Sequence, residues 1–276
     1  MRIIRVQDGH DARLADYAGV REPALLRERG LLIAEGRFVV HRVIDAGRVT
    51  VRSLLVNEAA LHGMSDVLEW AGTGIDVYVA SPDVITVATG FNMHRGCLAL
   101  AERPPEVPMD TLLSTAALVA VLERVVDPDN VGSVFRSAEA FGVNALLLNP
   151  GCGDPFYRKA IRTSSGATLV VPFAPAAPWP DALDQLRAKG FVIAATTPDD
   201  TAVDIGRFAG TAAARGKVAV LFGTEGQGLS PEALARADVR LRIPMTGALD
   251  SLNIATAAGI VLHRLHEART GASAPR

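Results

Sequence analysis

The chain has 276 residues, 49% hydrophobic and 21% charged, with a formal net charge of −2. That is enough apolar material for one large or two ordinary cores, which excludes global disorder, and the near-neutral balance leaves only a local basic face as a route to nucleic acid. Two cysteines, Cys97 and Cys152, are too few for a disulfide framework or a cysteine zinc site and fit a reducing cytoplasm.

The opening stretch "MRIIRVQDGHDARLADY" is broken by charges and has no signal-peptide core. No apolar run reaches the roughly 18 residues of a membrane span. In chain order, "DARLADYAG" reads as helical and "REPALLRERG" as a helix ending at Gly30. "EGRFVVHRVIDAG" spaces Phe38, Val39, Arg42 and Val43 as an amphipathic helix ending near Gly47. "VRSLLV", "IDVYVA" and "GCLALA" are short apolar runs, hence buried strands. This predicts a small mixed α/β domain over residues 1–103. "AERPPEVPMD" follows, with three prolines and three acidic residues between apolar runs. It reads as the core of an extended linker over 104–113.

Beyond it, "AALVAVLE", "NALLLN", "TLVVPF", "FVIAATT", "KVAVLFG" and "VRLRIPM" are strand candidates. Helices are predicted near 131–141, 156–164, 180–189, 231–236 and 251–268. Continuous apolar strands alternating with helices imply a parallel sheet covered on both faces, over residues 114–270 with a tail at 271–276. Ligands of such sheets bind beyond the carboxyl ends of the strands. That rule directs attention to the loops after Glu123, Phe222 and Pro244.

Several familiar sites are absent from the sequence. The glycines of "GTEGQG" (223, 226 and 228) have the wrong spacing for a dinucleotide fingerprint. "GTAAARGK" has five residues between its glycines, and Val218 follows Lys217, so it is no P-loop. His263 and His266 in "HRLHE" lie on an amphipathic helix, where a surface or core role outweighs metal binding. No metal site is expected.

Three loops remain. "DPDNVGSVFRSAEAFGV" (127–143) carries Asn130, Gly132 and Arg136 where a strand gives way to a helix. Its ordinary reading is a cap by Asp129 or Asn130, which leaves Arg136 without a purpose. "LFGTEGQGLSPEAL" (221–234) puts three glycines and Glu225 after an apolar strand, with Ser230 as N-cap and Pro231 opening a helix. "RIPMTGALDSLNIATAAGIVLHRL" (242–265) offers an apolar wall of Ile243, Pro244 and Met245, then Ser251 and Asn253 before a helix of small residues. That helix suits close packing, within the chain or across an interface.

In order and spacing, "NVGSVFRSAEAFG", "LFGTEGQGLS" and "IPMTGALDSLNIATAAGI" resemble the three motifs of the SpoU/TrmH family of RNA 2'-O-ribose methyltransferases, of the SPOUT class. "YRKAIRTSSGA" (157–167) is similar to the segment between the first two, so the likeness runs from 117 to about 266. The first 103 residues resemble the family's RNA substrate-binding domain, a small α/β fold of ribosomal-protein type.

The resemblance implies a trefoil knot in the carboxyl-terminal part of the sheet and a pocket for S-adenosylmethionine. Gly223, Thr224, Gly228, Ile243, Pro244, Met245 and Leu252 would bind that cofactor. Asn130, Arg136, Glu225, Ser251 and Asn253 would form the catalytic set. A guanidinium is essentially never deprotonated, so Arg136 is assigned an electrostatic role on a phosphate and a developing alkoxide. The family further implies a homodimer in which Arg136 can serve the partner's cofactor.

Arg37, Arg42, Arg95, Arg158, Lys159 and Arg162 are the candidate RNA contacts. With 5% aromatics, recognition of folded RNA shape is favoured over single-strand stacking. The expectation is a cytoplasmic, S-adenosylmethionine-dependent enzyme acting on ribosomal RNA. A transfer-RNA enzyme and a catalytically silent RNA-binding protein of the same fold are the alternatives within the family. An oxidoreductase on an ordinary doubly wound sheet is disfavoured by the missing fingerprint.

Overall fold

The computed structural model describes residues 2–18, 23–63, 74–92, 96–247 and 251–271. In chain order, the first part holds β1 (Arg2–Arg5), a 3-10 helix (Ala12–Tyr17), α1 (Pro23–Glu28), β2 (Leu31–Glu35), α2 (Arg37–Ala46), β3 (Val51–Val56), α3 (Glu58–His62), β4 (Asp76–Val79), α4 (Pro82–Thr89) and β5 (Cys97–Glu102). There follow α5 (Met109–Thr115), β6 (Leu118–Glu123), α6 (Pro128–Ala140), β7 (Ala145–Leu148), α7 (Arg158–Thr163) and β8 (Phe173–Pro175). The last part holds α8 (Ala182–Ala188), β9 (Val192–Thr196), β10 (Val203–Asp204), α9 (Ile205–Ala209), α10 (Ala212–Arg215), β11 (Val218–Gly223), α11 (Pro231–Ala235), β12 (Val239–Arg242) and α12 (Ile254–Thr270).

The chain forms two compact units. One comprises Met1–Pro105 with Pro155–Val170, the other Glu106–Asp154 with Val171–Arg276. Among the described residues the first unit has a five-stranded mixed sheet in the order β1-β4-β3-β5-β2. Its inner strand β5 and its edge strand β2 are buried almost throughout, while the edge strand β1 is largely exposed. On β5, Cys97, Ala99 and Ala101 pack with Val39, Val40 and Val43 of α2, while Leu98 and Leu100 pack with Leu14, Tyr17 and Ile85 on the other side. β2, five buried residues in a row, is a strand that the sequence reading passed over.

Segment 155–170 departs from the expected domain boundaries. Ile161 and Leu169 belong to the core beneath α2, with Phe156 against it, so this stretch packs as part of the first unit. The expected strand "TLVVPF" is displaced for the same reason. Ala167–Leu169 forms a 3-10 turn that buries its side chains, and strand structure begins only at Phe173. The expected linker also ends early, since α5 starts at Met109 and buries Leu113.

The second unit's sheet is parallel throughout, in the order β10-β12-β9-β11-β6-β7-β8. Val119, Val121, Leu147, Ile193, Ala219 and Leu221 meet Leu113, Leu183, Leu186 and Ala233 on one face. On α6, Val131, Val134, Phe135 and Ala138 are buried at helical spacing, and α6 packs against α12. β10, α9 and α10 are short elements absent from the sequence reading. Among the described residues no helix is long and apolar enough to cross a membrane, and no group of three or more metal-ligating side chains occurs.

Candidate active site

α6 begins two residues earlier than a cap at Asp129 would place it, and three earlier than a cap at Asn130. Asp127 is the N-cap: its Oδ1 accepts from the backbone N–H of Asp129 at 2.7 Å. Pro128 takes the first helical position, where its missing N–H costs nothing. This corrects the capping expectation and frees the Asn130 side chain for other partners.

β11 ends at Gly223, which sits in register with Glu123 of β6. The chain then folds back so tightly that Thr224 and Gly228 form a bridge, with the Gly228 N–H on the Thr224 carbonyl at 2.9 Å. A Cβ on Gly223 would lie 2.2 Å from the Gly228 carbonyl carbon and 2.3 Å from the Leu229 nitrogen. Gly226 and Gly228 have φ of 80° and 67°, a region that side-chain-bearing residues rarely adopt. The three glycines are thus demanded by the turn itself. Ser230 caps α11 through its Oγ and the Ala233 N–H at 3.2 Å.

Glu123, which the sequence reading used only as a landmark, holds this loop down. Its buried carboxylate accepts from the Ser230 backbone N–H and from Trp179 Nε1, both at 2.8 Å. A lone acidic residue ending an otherwise apolar strand was the available signal. Next to it, Arg124 has φ 55°, its N–H bonded to Asn149 Oδ1 at 2.8 Å and its Nη1 directed to Gln227 Oε1 at 3.4 Å. Nothing in the sequence marked Arg124.

The third loop arrives from β12. Asn253 caps α12, with Oδ1 accepting from Ala255 N at 2.9 Å. Its Nδ2 donates to Glu225 Oε1 at 2.6 Å and to Asn130 Oδ1 at 3.0 Å, and Asn130 Nδ2 donates to Glu225 Oε1 at 3.2 Å. Residues 130, 225 and 253 therefore form one hydrogen-bonded triangle drawn from three separate segments.

Beside the triangle lies a cavity of about 540 Å³ at the carboxyl ends of β9, β11 and β12. Small-molecule cofactors occupy clefts of roughly 300–1,000 Å³. Gly223, Thr224, Gly228, Ile243, Met245 and Leu252 line it, as do Glu225, Ser251 and Asn253. Thr196, Thr197 and Pro198 after β9 also line it; the carboxyl-end rule applied to "FVIAATTP" would have found them.

Two expected residues stand elsewhere. Pro244 is exposed and off the cavity wall. Arg136 is exposed on α6 and does not line the cavity either. Six residues at about 100° each set Arg136 roughly 120° around the helix from Asn130.

The basic residues divide as well. Arg158 is committed within its own unit: it pairs with buried Glu35, and its guanidinium carbon lies 4.3 Å from the Phe91 ring centroid. A buried carboxylate requires such a counter-charge, so Arg158 serves Glu35 as a structural cation. Arg162 stands 3.9 Å from the same carboxylate. Arg37 is exposed and Arg42 half-buried on α2, Lys159 is half-buried on α7, and Arg95 lies outside the described residues.

A parallel sheet with a glycine turn, an apolar wall and a polar triangle at its carboxyl edge defines a small-molecule-dependent enzyme of the α/β class. Comparison with known proteins is more specific. Residues 117–263 match the SpoU rRNA Methylase family. The chain is 42% identical over 262 residues to an uncharacterised tRNA/rRNA methyltransferase of Mycobacterium tuberculosis, covering 94% of this chain and 90% of that one. It is 26% identical to the 23S rRNA (guanosine(2553)-2'-O)-methyltransferase RlmP of Bacillus subtilis, covering 95% and 98%. The crystal structure of an AdoMet-bound rRNA methyltransferase from Sinorhizobium meliloti is similar at a TM-score of 0.80 and 26% identity, covering 99% of each chain. The chain belongs to the SpoU rRNA Methylase family and is a methyltransferase.

Proposed function

We propose that the protein methylates a ribose 2'-hydroxyl of RNA, ribosomal RNA in particular, with S-adenosylmethionine as donor. The observation that carries this reading is the Asn130–Glu225–Asn253 triangle beside the cavity of about 540 Å³. The residues present fit the cofactor. Ile243, Met245 and Leu252 offer an apolar slot for a purine, and the turn at Gly223, Thr224 and Gly228 offers close backbone to fix its polar edge.

When bound, S-adenosylmethionine supplies an electrophilic sulfonium methyl. The protein's task is to place the ribose oxygen and to stabilise the charge that develops there. Glu225 and Asn253, held rigid by each other, orient the substrate's hydroxyl-bearing edge, with Asn130 and Ser251 beside them. Arg136 holds the neighbouring phosphate and stabilises alkoxide character on the 2'-oxygen.

Arg136 does not line its own cavity, and it serves the cavity of a partner subunit in a homodimer. The 223–229 loop and the segments 243–247 and 251–253 belong to a carboxyl-terminal trefoil knot, and residues 1–103 form the RNA substrate-binding domain, with Arg37, Arg42, Lys159 and Arg162 meeting phosphates. The enzyme works in the cytoplasm, where ribosomal RNA is available. The Bacillus subtilis and Sinorhizobium meliloti proteins, aligned along nearly their whole length, carry names of rRNA methyltransferases, which supports ribosomal RNA as the substrate.

The test is methylation of whole cellular RNA with labelled S-adenosylmethionine, followed by mapping of ribose methylation. Label is expected in one large RNA species, and Arg136→Ala should lower transfer at least about tenfold. Mixed dimers of Arg136→Ala with Leu252→Glu should regain about a quarter of wild-type activity, since half of the dimers then hold one intact shared site. Label in transfer RNA alone would reassign the substrate. No rescue in mixed dimers would overturn the shared site, and cofactor binding without transfer to any RNA would overturn the enzymatic reading.

A further inference from the structure

Helix α2 keeps Val39, Val40 and Val43 in the core but turns Phe38 outward, 65% exposed. Of the large hydrophobic side chains that are exposed among the described residues, Phe38 is the aromatic one; the others are aliphatic or Met245. Leaving a ring in water forgoes one of the larger burial gains open to a side chain.

The surroundings of the ring indicate which chemistry it suits. The Arg42 guanidinium carbon is 5.9 Å from the ring centroid. Arg42 is itself fixed by a 2.8 Å bond from Nη1 to the Ser165 carbonyl, with its stem beside Gly166. Arg37, adjacent in sequence and exposed, donates Nη1 to the Gly63 carbonyl at 3.3 Å. That bond orients the Arg37 guanidinium without neutralising it. A single ring with the Arg42 guanidinium over it and Arg37 next to it in sequence is too small and too charged for a protein hot spot, which needs a contiguous apolar centre. It suits a π face with a phosphate at its edge.

We propose that Phe38, with Arg37 and Arg42 beside it, is a stacking platform for one unpaired base of the RNA substrate. This rests on the reading of the substrate as RNA. It adds one stacked nucleotide to the recognition of folded shape that the low aromatic content favours. Any base offers a π face, so the platform is tolerant of sequence; the guanidinium groups take the flanking phosphates.

The test uses the full chain with two fluorescently labelled probes of equal length, a single-stranded oligoadenylate and a fully paired RNA duplex. Phe38→Ala is expected to weaken oligoadenylate binding about tenfold while leaving the duplex within about twofold. Phe38→Trp should retain the affinity, and its added indole emission should be quenched by oligoadenylate. Unchanged oligoadenylate binding by Phe38→Ala would overturn the platform. So would an equal loss on both probes, or a change in the sedimenting mass of Phe38→Ala that shows the ring covered by a second copy. Methyl transfer to cellular RNA by the wild-type chain is read in parallel. Its presence alongside unchanged oligoadenylate binding sinks the platform alone, and its absence sinks the RNA-methylation reading beneath it.

Discussion

Asn253 donates Nδ2 to Glu225 Oε1 over 2.6 Å while Oδ1 of the same amide caps α12 through the Ala255 N–H. One side chain thereby fixes the start of a seventeen-residue helix and one edge of the site. Asparagine suits both duties because it carries an acceptor and a donor on one planar group. Replacing it separates them. Asn253→Asp keeps the cap but sets a second carboxylate against Glu225, so methyl transfer should fall at least about tenfold while the start of α12 stays capped. Asn253→Ala should also lose about 1 kcal/mol of stability with the cap. Wild-type transfer by Asn253→Asp would remove the triangle from the mechanism.

Gly223→Ala places a methyl group 2.2 Å from backbone at Gly228. Backbone cannot move aside as a flexible side chain can, so the turn must open. A cost of about 1–3 kcal/mol is expected, as for other overpacked sites, together with a loss of cofactor affinity measurable by calorimetry. Gly259→Ala is the contrasting case. Its added carbon would meet only Ser137 Oγ at 3.7 Å, an ordinary contact, and alanine should stabilise the helix by up to about 1 kcal/mol. Equal cofactor affinity in Gly223→Ala and wild type would show that the tight turn is dispensable to the pocket.

Glu123→Ala should act on the cofactor from a distance. Its removal leaves the Ser230 N–H and the Trp179 indole N–H without their acceptor, each worth about 1–3 kcal/mol when buried. The loop it anchors then moves, which should raise KM for S-adenosylmethionine more than it lowers kcat. Glu123→Gln, which retains one carbonyl acceptor, should fall between alanine and wild type. A change in kcat alone would place Glu123 in direct contact with the reaction instead.

The thiols give a prediction about pH. Burial pushes the Cys97 thiol up to about 12 from its ordinary 9.0 and also raises that of Cys152. Both should resist a thiol reagent near about pH 8 in the native protein and react once denatured. The folded value lies above the unfolded one, so the stabilisation from Cys97 is complete below pH 9 and is lost as pH climbs toward 12. Denaturant midpoints should therefore fall at about pH 10, with a Cys97 share on the order of 1 kcal/mol that Cys97→Ala abolishes. Rapid labelling of native Cys97 would contradict its burial.

Sequence pattern reached far in the second unit because each signal there is local. Short apolar runs such as "LVAVLE" and "VAVLF" fit strands covered on both faces, and Ser230-Pro231 and Asn253 are helix starts by their own chemistry. The glycines of "GTEGQG" announced a tight turn for the same reason. Pattern failed where the deciding partner is distant. "TLVVPF" has the composition of a strand, yet its first half turns to bury Leu169 in the core of the other unit. Arg158 reads as an exposed helical cation, and only the fold shows Glu35, more than a hundred positions earlier, as its partner.

What the linear chain determined is the inventory: two α/β units, a glycine turn, an apolar wall and a set of polar residues in three ordered motifs. These follow from short-range sterics and hydrogen bonding, which adjacent residues settle among themselves. What tertiary structure alone decided is convergence and direction. Asn130, Glu225 and Asn253 touch because parallel strands deliver their loops to one edge, while Arg136 stays off the cavity wall. Contacts between remote segments depend on sheet order and packing, and those are properties of the whole chain that no single stretch of it encodes.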